Sequence, residues 1–163
     1  MIVMASYPQL KVESSNLYST LSFSETSLRT FFFHIFSLHH HDIKGCLSLA
    51  FLGKKEHSDI HGRFLQDYRP TDVITFPADQ KEESAGEILI SVDQAIMESR
   101  ERGIPFAEEL SLYLIHGWLH LIGFDDIDES DRKIMRREEK NAMDHIRELG
   151  AWPDFLLAST SQQ

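Results

Sequence analysis

Apolar residues recur at three- and four-residue steps from Leu28 through Phe31, Phe32 and Ile35 to Leu38, which predicts a core helix capped by Ser24 or Thr26. A short extended piece around Leu10–Val12 precedes it. Cys46–Leu52 alternates two apolar faces and stops at Gly53-Lys54-Lys55, the pattern of a buried strand and a turn. Residues 57–67 predict a short, weak helix with Ile60, Phe64 and Leu65 facing inward. Val73–Phe76, held between Pro70 and Pro77, is a strand, and so is Gly86–Ser91. The nine residues 77–85 are too few for a parallel crossover, so these two strands are expected to be antiparallel if adjacent, whereas the earlier strands alternate with helices and can pair in parallel.

Ser91 and Gln94 form a capping-box pattern for a helix ending at Gly103. Pro105 suits a first helical position, with Glu108 and Glu109 in the favourable first turn. Of residues 110–122, nine of thirteen are apolar and they lie all round the helix, so this helix is expected to be buried. Gly123 ends it. A last amphipathic helix runs from about Asp128 to Leu149, with Met135, Ala142, Ile146 and Leu149 on its inner stripe, and stops at Gly150. The expected fold class is α+β: one domain over residues 1–153, with a small mixed sheet of about four strands, about five helices, and a disordered tail over 154–163.

The formal net charge of −10 lies almost entirely in the second half. Residues 1–78 hold seven Lys/Arg against seven Asp/Glu; residues 79–148 hold nine against eighteen. A phosphate-rich partner is therefore repelled by the whole surface, and any nucleic-acid role depends on a local site. The single cysteine, Cys46, excludes an internal disulfide and points to a reducing compartment. No apolar run has membrane-spanning length, and MIVMASYPQ is too short and lacks the basic flank of a secretory signal. The expected location is the cytoplasm, without a membrane partner.

HGWLHLIGFDD, residues 116–126, concentrates the chemistry. His116 and His120 are four residues apart, so both rings lie on one face and can share one ion. Imidazole suits zinc and its neighbours better than magnesium or calcium. After Gly123 turns the chain, Asp126 can swing back as a third ligand, leaving a position for water as in a catalytic zinc site. The spacing H-x3-H-x5-D, with glycine at the seventh step, follows the metzincin layout, where the last position is histidine. The bland reading is two core histidines bonded to backbone; the spacing, the glycine and the carboxylate together favour metal. Gly117, costly within a helix, suggests a close approach to the backbone. It also stands where zinc peptidases of the H-E-x-x-H type carry their glutamate, which disfavours peptide hydrolysis by that route. Asp125 reads as a supporting residue that orients a ligand histidine. His39, His40 and His41 point in successive directions and read as a solvated helix end.

HGWLHLIGFDD, preceded by PTDVITFP and GEILIS, resembles the YbeY endoribonucleases, bacterial rRNA maturation factors, from about Leu47 to Leu149. The resemblance implies a single α+β domain, a zinc-type ion, and cleavage of single-stranded rRNA rather than DNA. It also implies work in small-subunit rRNA 3′-end formation and ribosome quality control, with the small subunit or its assembly factors as partners. Two departures stand out. The third metal histidine of that pattern is Asp126 here, and a carboxylate lowers the net positive charge of the site. The asparagine and arginine that precede PTDV in the pattern fall on His61 and Leu65, leaving Arg63 and Arg69 as candidates for the catalytic arginine. Two rival readings are a ribosome-assembly or RNA-binding factor with a structural ion, and a metallohydrolase of another substrate.

Overall fold

A computed structural model describes residues 10–159. The signal-sequence reading at residues 1–9 and the last four residues of the expected tail lie outside the described residues. The elements are β1 (Leu10–Asn16), β2 (Leu21–Ser22), α1 (Glu25–Phe36), β3 (Gly45–Leu52), α2 (Lys54–Leu65), β4 (Val73–Phe76), β5 (Ser84–Ser91), α3 (Val92–Arg102), α4 (Phe106–Leu121), α5 (Glu129–Leu149) and β6 (Leu156–Leu157).

β1, β3 and β5 run parallel and β4 joins β5 antiparallel, giving the order β1-β3-β5-β4. The mixed sheet follows from chain lengths. The β1–β3 connection holds a helix, whereas β4 and β5 are joined by a tight turn with a single 3₁₀ step at Gln80–Glu82. Side chains alternate across β3 and β5, so Leu47, Leu49, Phe51, Ile88 and Ile90 face the large core with α1 and α4. Leu52 and Leu89 face the other side, where a small cluster with Ile74 is covered by Ile60 and Phe76.

Local signals place most helix ends. The Ser24 hydroxyl accepts from Ser27 N at 3.1 Å and so caps α1. Ser91 Oγ accepts from Gln94 N at 3.3 Å to start α3. The reciprocal half of that box is absent, because Ser91 N–H already donates to Asp72 O at 2.9 Å and the Gln94 amide donates to Glu98. Pro105 sits one position before α4 rather than in it, with its carbonyl accepting from Glu108 and Glu109.

Four expectations are corrected. Phe64 and Leu65 are exposed, Phe64 keeping only an edge contact with the Phe76 ring, and His57 and Gly62 are the buried positions of that helix. Leu149 is also exposed at the last turn of α5. The chain does not come loose at residue 154. Asp154 accepts from Ser24 N and Ser27 Oγ, Phe155 packs on Phe23 and Phe51, and Leu156–Leu157 pairs antiparallel with Leu21–Ser22. Two-residue strands paired across such a sequence distance carry no periodicity to read. Finally, the histidine run is not simply solvated. His39 bonds Glu138 at 2.8 Å and His41 packs edge-on to Trp118, while His40 alone of the three is exposed.

Candidate metal centre

α4 is the most deeply set helix: Leu110, Tyr113, Leu114, Ile115, Trp118 and Leu119 are all buried. Its tight seating on β5 accounts for Gly117. A Cβ there would lie 2.7 Å from Ile88 Cγ2, so the close approach expected from this glycine is to the sheet itself. A glutamate side chain at 117 has no room, which removes the peptidase base on steric grounds as well as by identity.

At its C-terminus α4 is stopped by Gly123, whose φ of +108° lies in the region that favours glycine. Gly123 N donates to His120 O at 3.1 Å and Phe124 N to Leu119 O at 3.0 Å, closing the last turn. The chain then doubles back. Asp126 Oδ2 comes to 3.4 Å from His116 Nε2 and 3.6 Å from His120 Nε2, and the two Nε2 atoms are 3.0 Å apart. Among the described residues this is the one group of three such side chains whose donor atoms converge, all within 4.8 Å of one another.

Each ring is aimed by its other nitrogen. His120 Nδ1–H donates to the Phe124 carbonyl at 3.1 Å, which leaves Nε2 as a bare lone pair. His116 Nδ1–H donates to Glu139 Oε1 at 2.5 Å. Three acceptors therefore face one point and call for a cation between them. A proton on His116 Nε2 meets that need in part; a divalent ion meets it in full. Zinc–nitrogen and zinc–oxygen bonds of about 2.0–2.2 Å in a tetrahedron place donors about 3.3–3.6 Å apart, the range of the two Asp126 separations, with the two Nε2 atoms slightly closer at 3.0 Å. The electrostatics agree. Burial alone would lower the His116 pKa, but the Glu139 carboxylate, then Asp72 and Asp126, outweigh it and hold the ring above its ordinary value. The donors fit one divalent ion, and imidazole donors favour a borderline metal over magnesium or calcium.

Glu139 was invisible to motif reading, yet it had a signal. Positions 135, 139, 142 and 146 share one face of α5, so a carboxylate sits in the core stripe of an amphipathic helix. Asp125 has a different task from the one expected: its Oδ1 accepts Asp126 N at 2.8 Å and shapes the ligand loop, leaving the histidines to Glu139 and Phe124. Arg132 secures the same loop by donating to Ile127 O at 2.7 Å. His39 packs against the Phe124 ring, so the histidine run buttresses this loop from behind.

His116 and Glu139 open onto a cleft of about 870 Å³ that runs between Pro70–Asp72, α3, α4 and α5. Buried in its wall, Glu109 lies 3.8 Å from Arg102, and desolvation pushes its carboxyl pKa up. Arg63 and Arg69 do not line this cleft. Arg63 is exposed on α2, and Arg69 folds back onto Asp67 through Nε and Nη2 at 2.9 and 2.7 Å.

An α+β fold with three side chains that could hold a metal ion at a helix end, one of them, His116, lining a cleft, has the layout of a metal-dependent hydrolase. Comparison with known proteins is more specific: residues 13–147 match the family model for Endoribonuclease YbeY, and the chain belongs to the YbeY endoribonuclease family. The Endoribonuclease YbeY of Protochlamydia amoebophila is 39% identical over 94 residues, covering 55% of this chain and 63% of that protein, just under two thirds of its length. That of Campylobacter jejuni (strain RM1221) is 38% identical over 102 residues, covering 61% and 74%. The solution structure of TM1509 from Thermotoga maritima superposes with a TM-score of 0.59 over 87% of this chain and 94% of that one. At 22% identity it speaks for the fold alone. No helix among the described residues is long and apolar enough to cross a membrane.

Proposed function

We propose that this protein is a metal-dependent endoribonuclease that cuts single-stranded rRNA in the cytoplasm, in small-subunit 3′-end maturation and ribosome quality control. Its resident ion is zinc, held by His116, His120 and Asp126, and the small subunit or its assembly factors present the substrate. The observation that carries this reading is the convergence of the two Nε2 lone pairs and the Asp126 carboxylate beside an open cleft. Family membership supplies RNA as the substrate class.

When bound, the ion supplies Lewis acidity and a more acidic water for attack on a backbone phosphodiester. The protein's own residues do the positioning. Glu139 and the Phe124 carbonyl lock the two rings with their Nε2 atoms inward, the second layer of bonds on which such sites depend. Asp126 is the most accessible of the three donors, with 40% of its side chain exposed against 15% and 24% for the histidines. Peptide hydrolysis lacks both the glutamate and the space for it at Gly117.

Incubation of zinc-loaded protein with single-stranded rRNA, duplex RNA and casein, beside His116→Ala and His120→Ala, tests the proposal. Cleavage of the single strand alone, lost in both variants, is expected. Cleavage that persists in both, or casein hydrolysis without RNA cleavage, contradicts it.

A further inference from the structure

The cleft beside the metal site carries four cations: Arg102, Arg136, Lys140 and Arg147. Three are already engaged. Arg102 pairs with Glu98 at 3.3 Å and stands over Glu109. Lys140 is bonded to Asp144, and Arg147 lies 2.9 Å from Asp144 and 3.6 Å from Glu108. Arg136 is exposed and has no hydrogen bond or ion pair among the described residues.

Its position gives that freedom a use. Arg136 precedes Glu139 by three residues on α5, so the two side chains are neighbours on one helix face, with Cβ atoms about 5–6 Å apart. Glu139 is bonded to His116 Nδ1. A free guanidinium is thereby placed in the same cleft as the metal site and next to its supporting carboxylate. In a chain of net charge −10 there is no general basic surface to hold a polyanion, so one unpaired fork on the cleft wall weighs heavily. The guanidinium plane matches two oxygens of a phosphodiester and keeps its charge at every working pH.

We infer that Arg136 is the substrate-binding arginine of this cleft and grips a backbone phosphate of single-stranded RNA next to the metal site. This rests on the proposed RNA substrate. Arg63 and Arg69 have no such part: the first is off the cleft and the second is bound to Asp67.

The test measures binding apart from cleavage. Metal-free protein is titrated into a labelled 2′-O-methyl oligoribonucleotide, which resists cleavage through the 2′-hydroxyl, across a salt series. Cleavage of the ordinary strand by zinc-loaded protein is followed in parallel. Arg136→Ala is expected to weaken binding about tenfold at low salt and to lower the slope of log K against log salt by about 0.7, one single-strand phosphate contact. Arg136→Lys is expected to keep the slope while losing part of the affinity, since the charge stays and the fork goes. Arg137→Ala makes the same charge change one residue away, outside the cleft, and is expected to match the parent in both. Arg136→Ala indistinguishable from Arg137→Ala overturns the inference, as does a parent protein with no salt-dependent binding. Cleavage without any effect of Arg136 leaves the nuclease reading standing and removes this one. Arg136-dependent binding without cleavage does the reverse.

Discussion

Helices α4 and α2 pack on opposite faces of the same sheet and differ in how much of themselves they bury. α4 buries nine residues, six of them in the large core, approaches β5 so closely that a Cβ on Gly117 would meet Ile88, and presents both histidines of the proposed metal site. α2 buries only His57 and Gly62 and leaves Phe64 and Leu65 in solvent. The candidate donors His116 and His120 sit on the more deeply buried helix, as a site requiring donors at fixed separations demands. The loosely seated helix carries Arg63, which lies away from the cleft.

Core truncation should expose that difference most strongly. Leu114→Ala is expected to cost about 2–5 kcal/mol, whereas Leu65→Ala on α2 should stay within about 0.5 kcal/mol. Urea unfolding of both variants measures it; equal losses would show that the two helices are seated alike. A gentler probe of the same contact is Gly117→Ala, where overpacking against Ile88 costs about 1–3 kcal/mol, offset in part by roughly 1 kcal/mol of better helix propensity. A net gain in stability would mean that the gap between α4 and β5 is wider than described.

Effects on the ion come next. Removing the bond that orients His116, by Glu139→Ala, should weaken metal affinity about 10- to 100-fold. Glu139→Gln should lose less, because an amide oxygen still accepts from Nδ1–H. Asp126→His is expected to raise zinc affinity and make bound water more acidic, since it removes a negative charge from the site. Unchanged affinity and metal preference in a titration against the parent would mean that the third donor comes from elsewhere.

The smallest effect belongs to His57, buried under α2 with Nε2–H donating to Leu89 O at 2.9 Å. Desolvation holds its pKa below the ordinary value. The folded state therefore takes up this proton later than the unfolded chain does as pH falls. His57 favours folding fully above its unfolded pKa of about 6.5, and that contribution declines as pH drops through the window below it. Urea midpoints at pH 8 and pH 5.5 should differ more for the parent than for His57→Gln. An equal difference would place His57 in water.

Much of this arrangement was legible in local residue patterns. The stop at Gly123, the cap at Ser91, the antiparallel β4–β5 pair and the grouping of His116, His120 and Asp126 each depend on residues within a few turns of one another. What escaped depends on distant partners. Asp154, Phe155 and β6 are fixed by residues 21–27 and Phe51. His39 is held by Glu138. The apolar stripe of α2 looks no different from others, but the cluster it covers holds three buried residues and can accept little more. Glu139 was hidden because its partner lies on another helix, although its place in the α5 core stripe marked it as a half-buried charge with something to bind.

The central claim is that His116, His120 and Asp126 hold one divalent ion. Metal analysis of the purified protein, beside an Asp126→Ala variant and a combined His116→Ala, His120→Ala variant, tests it most directly. One ion per chain in the parent, weakly held in Asp126→Ala and absent from the double variant, is the result expected. A full equivalent retained by a folded double variant would contradict it.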